Sequence, residues 1–247
     1  MLLEIAPDGS DVSYDLSALV EYEVMTVSAQ VCDEAAAELS IQPSFGPLIV
    51  MTEGSSDSDF LELALKVLTP HLDGYVRFLD YEYKPEGGAS ALIKAVKSFA
   101  AAGVSNRVLA LFDNDAAATD ALKSFNARSL PSNFRVLQLP RLPLACDYPT
   151  RGPSGMANLD VNGLAVSIEM FFGEDLLRDT SGDLAPVHWT GYVQRVDSYQ
   201  GVLQNKESAQ RAFRNRAKQA LKRGHVLPTE DWSGMRLLLD QIKRAFD

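Results

Sequence analysis

Acidic side chains stand directly after two continuous apolar runs of this chain. Leu48-Ile49-Val50-Met51-Thr52 leads into Glu53-Gly54-Ser55-Ser56-Asp57, and Val108-Leu109-Ala110-Leu111-Phe112 leads into Asp113-Asn114-Asp115. Short apolar runs of this kind suit the buried strands of a parallel sheet. The C-terminal ends of such strands line the ligand crevice. Carboxylates delivered there are hard oxygen ligands, and Mg²⁺ needs only one or two of them beside water and phosphate oxygens. Asp80 ends a further strand-like segment, Tyr75–Asp80, and adds a third acidic strand end. Each motif also has a plain structural use. Glu-Gly after a strand makes a turn, and Asp115 can cap a helix that starts at Ala116. It is the joint placement at strand ends that points to chemistry.

The elements needed to position these residues follow from the pattern around them. Asp57 to Leu68 reads as a helix with Phe60, Leu61, Ala64, Leu65 and Leu68 on one face, capped by Ser55 or Ser56. Ala89–Ala102 and Ala116–Asn126 read as further helices, and Arg135–Leu139 as a fourth strand. Strands alternating with amphipathic helices define βαβ units and a parallel sheet. Residues 140–165 are rich in Pro, Gly and Asn and read as a long loop or insertion. An ordered segment resumes at Val166–Phe172, and helices are expected around Lys206–Arg223 and Thr229–Phe246. The expected organisation is an acidic N-terminal segment, 1–45, an α/β domain, 46–172, and a mostly helical C-terminal extension, 173–247.

The bulk properties bound the partners. A net charge of −10 argues against a surface that grips nucleic acid everywhere. The basic residues are unevenly placed, with no Lys or Arg in residues 1–65 and a basic helix that carries Arg211, Arg214, Arg216 and Lys218. That helix is expected to contact phosphates or to form a solvated face. No apolar run approaches the roughly 18 residues of a membrane span. Cys32 and Cys146 are far apart and form no CxxC pair, which suits a reducing cytoplasm. His71, His188 and His225 are scattered without metal-ligand spacing.

The segment from Leu48 to Asp57 resembles the first motif of Toprim domains, a hydrophobic strand followed by Glu-Gly and an acidic residue. Phe112-Asp113-Asn114-Asp115-Ala116-Ala117 resembles their second, a strand followed by Asp-x-Asp and small residues. The order of elements over residues 46–140 fits as well. The resemblance implies a Toprim, Rossmann-like fold and divalent-metal-dependent phosphodiester chemistry on DNA or tRNA, with one or two Mg²⁺ or Mn²⁺ ions. It is similar in pattern to the nucleases of the OLD family and to HEPN-associated Toprim nucleases of bacterial defence. By that likeness Glu53, Asp57, Asp113, Asp115 and Glu169 would be metal ligands. Glu53 would also act as acid or base, and Lys206 would stabilise transition-state charge.

Departures narrow the resemblance. The chain has neither the flanking machinery of a topoisomerase nor the zinc module of a primase. It lacks Gly-x-x-x-x-Gly-Lys-Ser/Thr, so a regulatory ATPase would be a separate partner. The expectation is a cytoplasmic nuclease, stand-alone or partner-controlled and able to form a homo-oligomer, serving as an anti-phage or toxin-like effector. The alternative is a non-catalytic Toprim-fold subunit of a larger assembly. A phosphate or nucleotide enzyme using Ser55-Ser56 at a helix N-terminus is a third reading, weakened by the missing glycine-rich loop.

Overall fold

The computed structural model describes residues 46–79 and 87–247, together with Asp15, Ser17, Glu21 and Tyr22. Asp80, Cys32 and the elements expected between Asp15 and Ala37 lie outside these residues. Residues 46–247 form one compact unit.

The unit is built on a four-stranded parallel sheet whose strands match the apolar runs of the sequence. They are β1 (Leu48–Met51), β2 (Val76–Phe78), β3 (Val108–Phe112) and, after the short β4 (Asn114–Asp115), β5 (Phe134–Gln138). The spatial order is β2-β1-β3-β5. Both β2 and β3 lie parallel to β1, on opposite sides of it. The chain therefore reverses direction of travel at β1, and the crevice of a doubly wound sheet opens between β1 and β3.

Burial on both faces explains the continuous apolar runs. Val50, Leu109 and Leu111 join one cluster with Phe60, Leu61 and Leu65 of α1 (Ser55–Leu68). Phe213 of α4 (Lys206–Arg223) and Leu238 of α5 (Ser233–Lys243) complete it. Met51, Val108, Ala110 and Phe112 point the other way, against Leu92 and Val96 of α2 (Ala89–Ala101) and Ala118 of α3 (Ala116–Lys123). Neighbouring residues thus serve opposite cores, as the period of a strand requires.

Two expectations about the rest of the chain need correction. Residues 140–165, expected as a long loop or insertion, are not a structureless loop: they hold the hairpin β6 (Tyr148–Gly152) and β7 (Gly155–Leu159). The C-terminal part is not mostly helical at its start, since β9 (Val187–Val193) and β10 (Ser198–Leu203) form a second hairpin. Together they make a second sheet of order β10-β9-β6-β7. Between the two hairpins, β8 (Ala165–Val166) pairs antiparallel with β4. Among the described residues no helix is long and apolar enough to cross a membrane.

Candidate active site

Glu53 follows β1 and Asp113 follows β3, so the first two acidic residues face each other across the crevice. The backbone N–H of Asp113 donates to the Glu53 carboxylate at 3.0 Å. The N–H of Ala89, which opens α2, donates to it as well. The loop before α2 is held by Gly88, whose N–H donates to the Glu53 carbonyl at 2.7 Å. Gly88 has φ +91, a conformation that favours glycine. Asp57 lies in the first turn of α1. The expected serine cap is absent, because Gly54 occupies the N-cap position and no side chain caps the helix. Instead Ser58 is buried and its hydroxyl shares a 2.9 Å hydrogen bond with that of Thr52.

The pairing of β8 with β4 explains how a distant segment reaches the site. Val166 lies opposite Asn114, and the chain then turns through the 3₁₀ segment Ile168–Phe171. Glu169 is completely buried there. Its carboxylate accepts from the Ser167 hydroxyl and from the Gln210 amide, each at 2.6 Å. It also pairs with the Lys206 ammonium at 3.2 Å. Stacking of Phe172 on Phe213, with ring centroids 4.3 Å apart, fastens this turn to α4. Phe60 packs edge-on against both rings and brings α1 to the same point.

All six residues singled out for chemistry are therefore brought together. Asp113 feels the charges of Asp57, Glu53, Asp115 and Glu169. Burial first, and then these like charges, hold its carboxyl well above the usual range. Burial also pushes Glu53 up to about 7, against the pull of its two N–H donors, with Asp115 and Asp57 adding to the rise. Asp57 is pushed to about 6 by burial and the Glu169 charge, while Lys206 opposes the rise. For Lys206 burial acts downward, but Glu169, Asp113 and Asp57 outweigh it and raise the ammonium above its ordinary value. The start of α4 adds the positive end of a helix dipole beside these acids.

Not every acid is equally available to a cation. Asp115 caps α3, with one oxygen accepting from the Ala118 N–H at 2.7 Å. The other accepts from the Gln200 amide at 2.7 Å. Both oxygens of Glu169 are likewise taken by protein donors. Of the expected five ligands, Glu53, Asp57 and Asp113 are those whose carboxyls burial and like charges raise, although Glu53 and Asp57 also accept hydrogen bonds from the protein. Their all-oxygen chemistry and shared excess of negative charge suit one hard divalent ion. Among the described residues, however, no group of three or more His, Cys, Asp or Glu side chains stands ready to hold a metal ion. The donor chemistry fits such an ion; a converged ligand shell is not already formed.

The basic helix divides as well. Arg211 and Lys218 are exposed. Arg214 lies over the Phe60 ring at 4.5 Å from its centroid. Arg216 is buried, so the expectation that it contacts phosphate is corrected. It pairs with Asp175 and donates to the carbonyls of Phe172 and Asp231. Its place on the apolar face follows from its spacing with Ala209, Phe213, Ala217 and Ala220.

Gln200 and Gln210 were missed by sequence reasoning. A neutral amide carries no chemical signature, and each meets its acid only through long-range packing. A cavity of about 290 Å³, lined in part by Arg178, Gln204, Asn205 and Ser208, opens beside the start of α4 rather than at the carboxylates. The chain matches no protein-family model, and no curated protein or solved structure matches it.

Proposed function

We propose that this chain is a divalent-metal-dependent nuclease of Toprim type, hydrolysing phosphodiester bonds in DNA or tRNA. The observation that carries this reading is the crowding of Glu53, Asp57 and Asp113 at the crevice between β1 and β3. Holding three mutually repelling, half-buried carboxyls together opposes folding, and such an arrangement is typical of functional sites. Glu53, Asp57 and Asp113 would hold the ion. A bound Mg²⁺ or Mn²⁺ supplies Lewis acidity at a phosphate oxygen and offsets the charge that develops there.

The chain's own groups would do the rest. Glu53, balanced near neutrality, can hold or release a proton at the working pH. Lys206, kept protonated and fixed by Glu169, places a positive charge where phosphate charge increases. Arg211 and Lys218 are available for flanking phosphates. An anti-phage or toxin-like role, with a separate regulatory partner, is part of the same proposal.

The engaged oxygens of Asp115 and Glu169 favour a second reading, a Toprim-fold assembly subunit without cleavage. The two are separated by incubating plasmid, single-stranded DNA and total tRNA with Mg²⁺ or Mn²⁺. The nuclease reading expects cleavage that Glu53→Ala and Asp113→Ala each reduce by about a hundredfold or more. No cleavage, or undiminished cleavage in both variants, supports the assembly subunit or another source of activity.

A further inference from the structure

Two of the exposed large hydrophobic residues of the described unit, Tyr192 and Tyr199, lie on the β9–β10 hairpin, which gathers aromatic rings. Tyr192 and Tyr199 lie opposite each other in its register. They are 48% and 59% exposed, so neither is spent on the core. Their rings meet edge to face at 5.2 Å between centroids. Trp189 backs Tyr199 at 6.1 Å. The Tyr192 hydroxyl donates to the Asp197 carboxylate in the turn of the hairpin, which fixes its ring. Asp197 itself has φ +54, so the turn is tight.

Two further observations say what this surface fits. The hairpin also carries a cation: Arg195, in the turn between its strands, is 63% exposed and pairs with Asp120 at 3.2 Å. The exposed Lys123 donates to the Arg195 carbonyl at 2.5 Å. The surface is also tied to the carboxylate site. Gln200, next to Tyr199, donates to Asp115 and accepts from the Ala117 N–H at 2.9 Å.

We propose that Tyr192 and Tyr199 form a stacking platform for the unpaired bases of a single-stranded nucleic acid, with Arg195 and Lys123 on its phosphates. The proposal rests on the nuclease reading for its purpose but on the hairpin alone for its binding. Exposed rings accept the π-face of any base, and a duplex hides those faces within its own stack. The platform does not read the sugar, so DNA and RNA strands bind alike.

The test is fluorescence anisotropy of the full chain in EDTA, where cation-dependent cleavage cannot interfere. The probes are labelled oligothymidylate, labelled oligouridylate and the oligothymidylate–oligoadenylate duplex. Both single strands are expected to bind at least about tenfold more tightly than the duplex. Tyr192→Ala with Tyr199→Ala should weaken single-strand binding by roughly tenfold or more, while Tyr192→Phe with Tyr199→Phe retains most of it. Equal binding of duplex, unchanged binding by the alanine variant, or no single-strand binding by the wild-type chain would overturn the platform. Cleavage by the wild-type chain and its loss in Glu53→Ala are measured separately, so failure of either proposal leaves the other readable.

Discussion

At the ends of β1 and β3, Glu53, Asp57 and Asp113 are crowded together and each is driven toward its protonated form. A short distance away, Asp115 and Glu169 are bordered by protein groups that satisfy them: Ala118 and Gln200 for one, Ser167, Gln210 and Lys206 for the other. The first group lies where the parallel sheet opens, and the second where the later part of the chain closes over it. The difference separates acids that stabilise this fold from acids that the fold must tolerate.

Removing a satisfied acid should therefore do the greatest harm to folding. Glu169→Ala strands Lys206, Gln210 and Ser167 without their acceptor and should cost about 3–5 kcal/mol. Urea unfolding of the variant measures it; a loss under about 1 kcal/mol would mean that Glu169 is not the anchor described above.

The crowded acids should behave in the opposite way. A carboxyl whose folded pKa is raised favours the folded state while it is protonated. For Glu53 that contribution is complete below its ordinary value of 4.5 and is lost as pH rises through about 7. Asp57 acts in the same direction, from 3.8 to about 6. Without divalent ions, the melting temperature should accordingly fall between pH 5 and 8 at constant ionic strength. Glu53→Gln should flatten that fall. A melting temperature that rises over this range through these groups would reverse the assignment.

A cation that binds only the folded chain should restore what is lost. Mn²⁺ at a hundred times its dissociation constant adds about 2.7 kcal/mol, and EDTA should remove the gain. Smaller effects mark the link between the two regions. Gln200→Ala deletes the amide that holds Asp115 and should cost about 1 kcal/mol in the same unfolding assay. Arg211→Ala and Lys218→Ala, on the exposed face of α4, should leave stability within about 0.5 kcal/mol.

The two regions were also unequally legible in the sequence. Strands β1 and β3 are buried on both faces, so their apolar runs stand out, and the acids after them mark the crevice. The second sheet has no such signature. Its β6 reads Tyr-Pro-Thr-Arg-Gly and its β7 Gly-Met-Ala-Asn-Leu, where Pro and Gly suggest a loop and β7 is exposed throughout. Its hairpins are local, but the pairing of β6 with β9 and the bond from Gln200 to Asp115 join segments too distant for local pattern to register. Arg216 could have been read correctly. It falls three residues after Phe213 on the apolar face, whereas Arg211 and Lys218 fall on the solvent side.

The central claim is that Glu53, Asp57 and Asp113 form a site for a hard divalent cation. Titration calorimetry of the full chain with Mn²⁺ at pH 8 tests it most directly, since binding needs no knowledge of the substrate. The account predicts saturable binding by the wild-type chain that Asp113→Asn abolishes while the variant remains folded by circular dichroism. Absence of binding, or binding that survives Asp113→Asn unchanged, would contradict it.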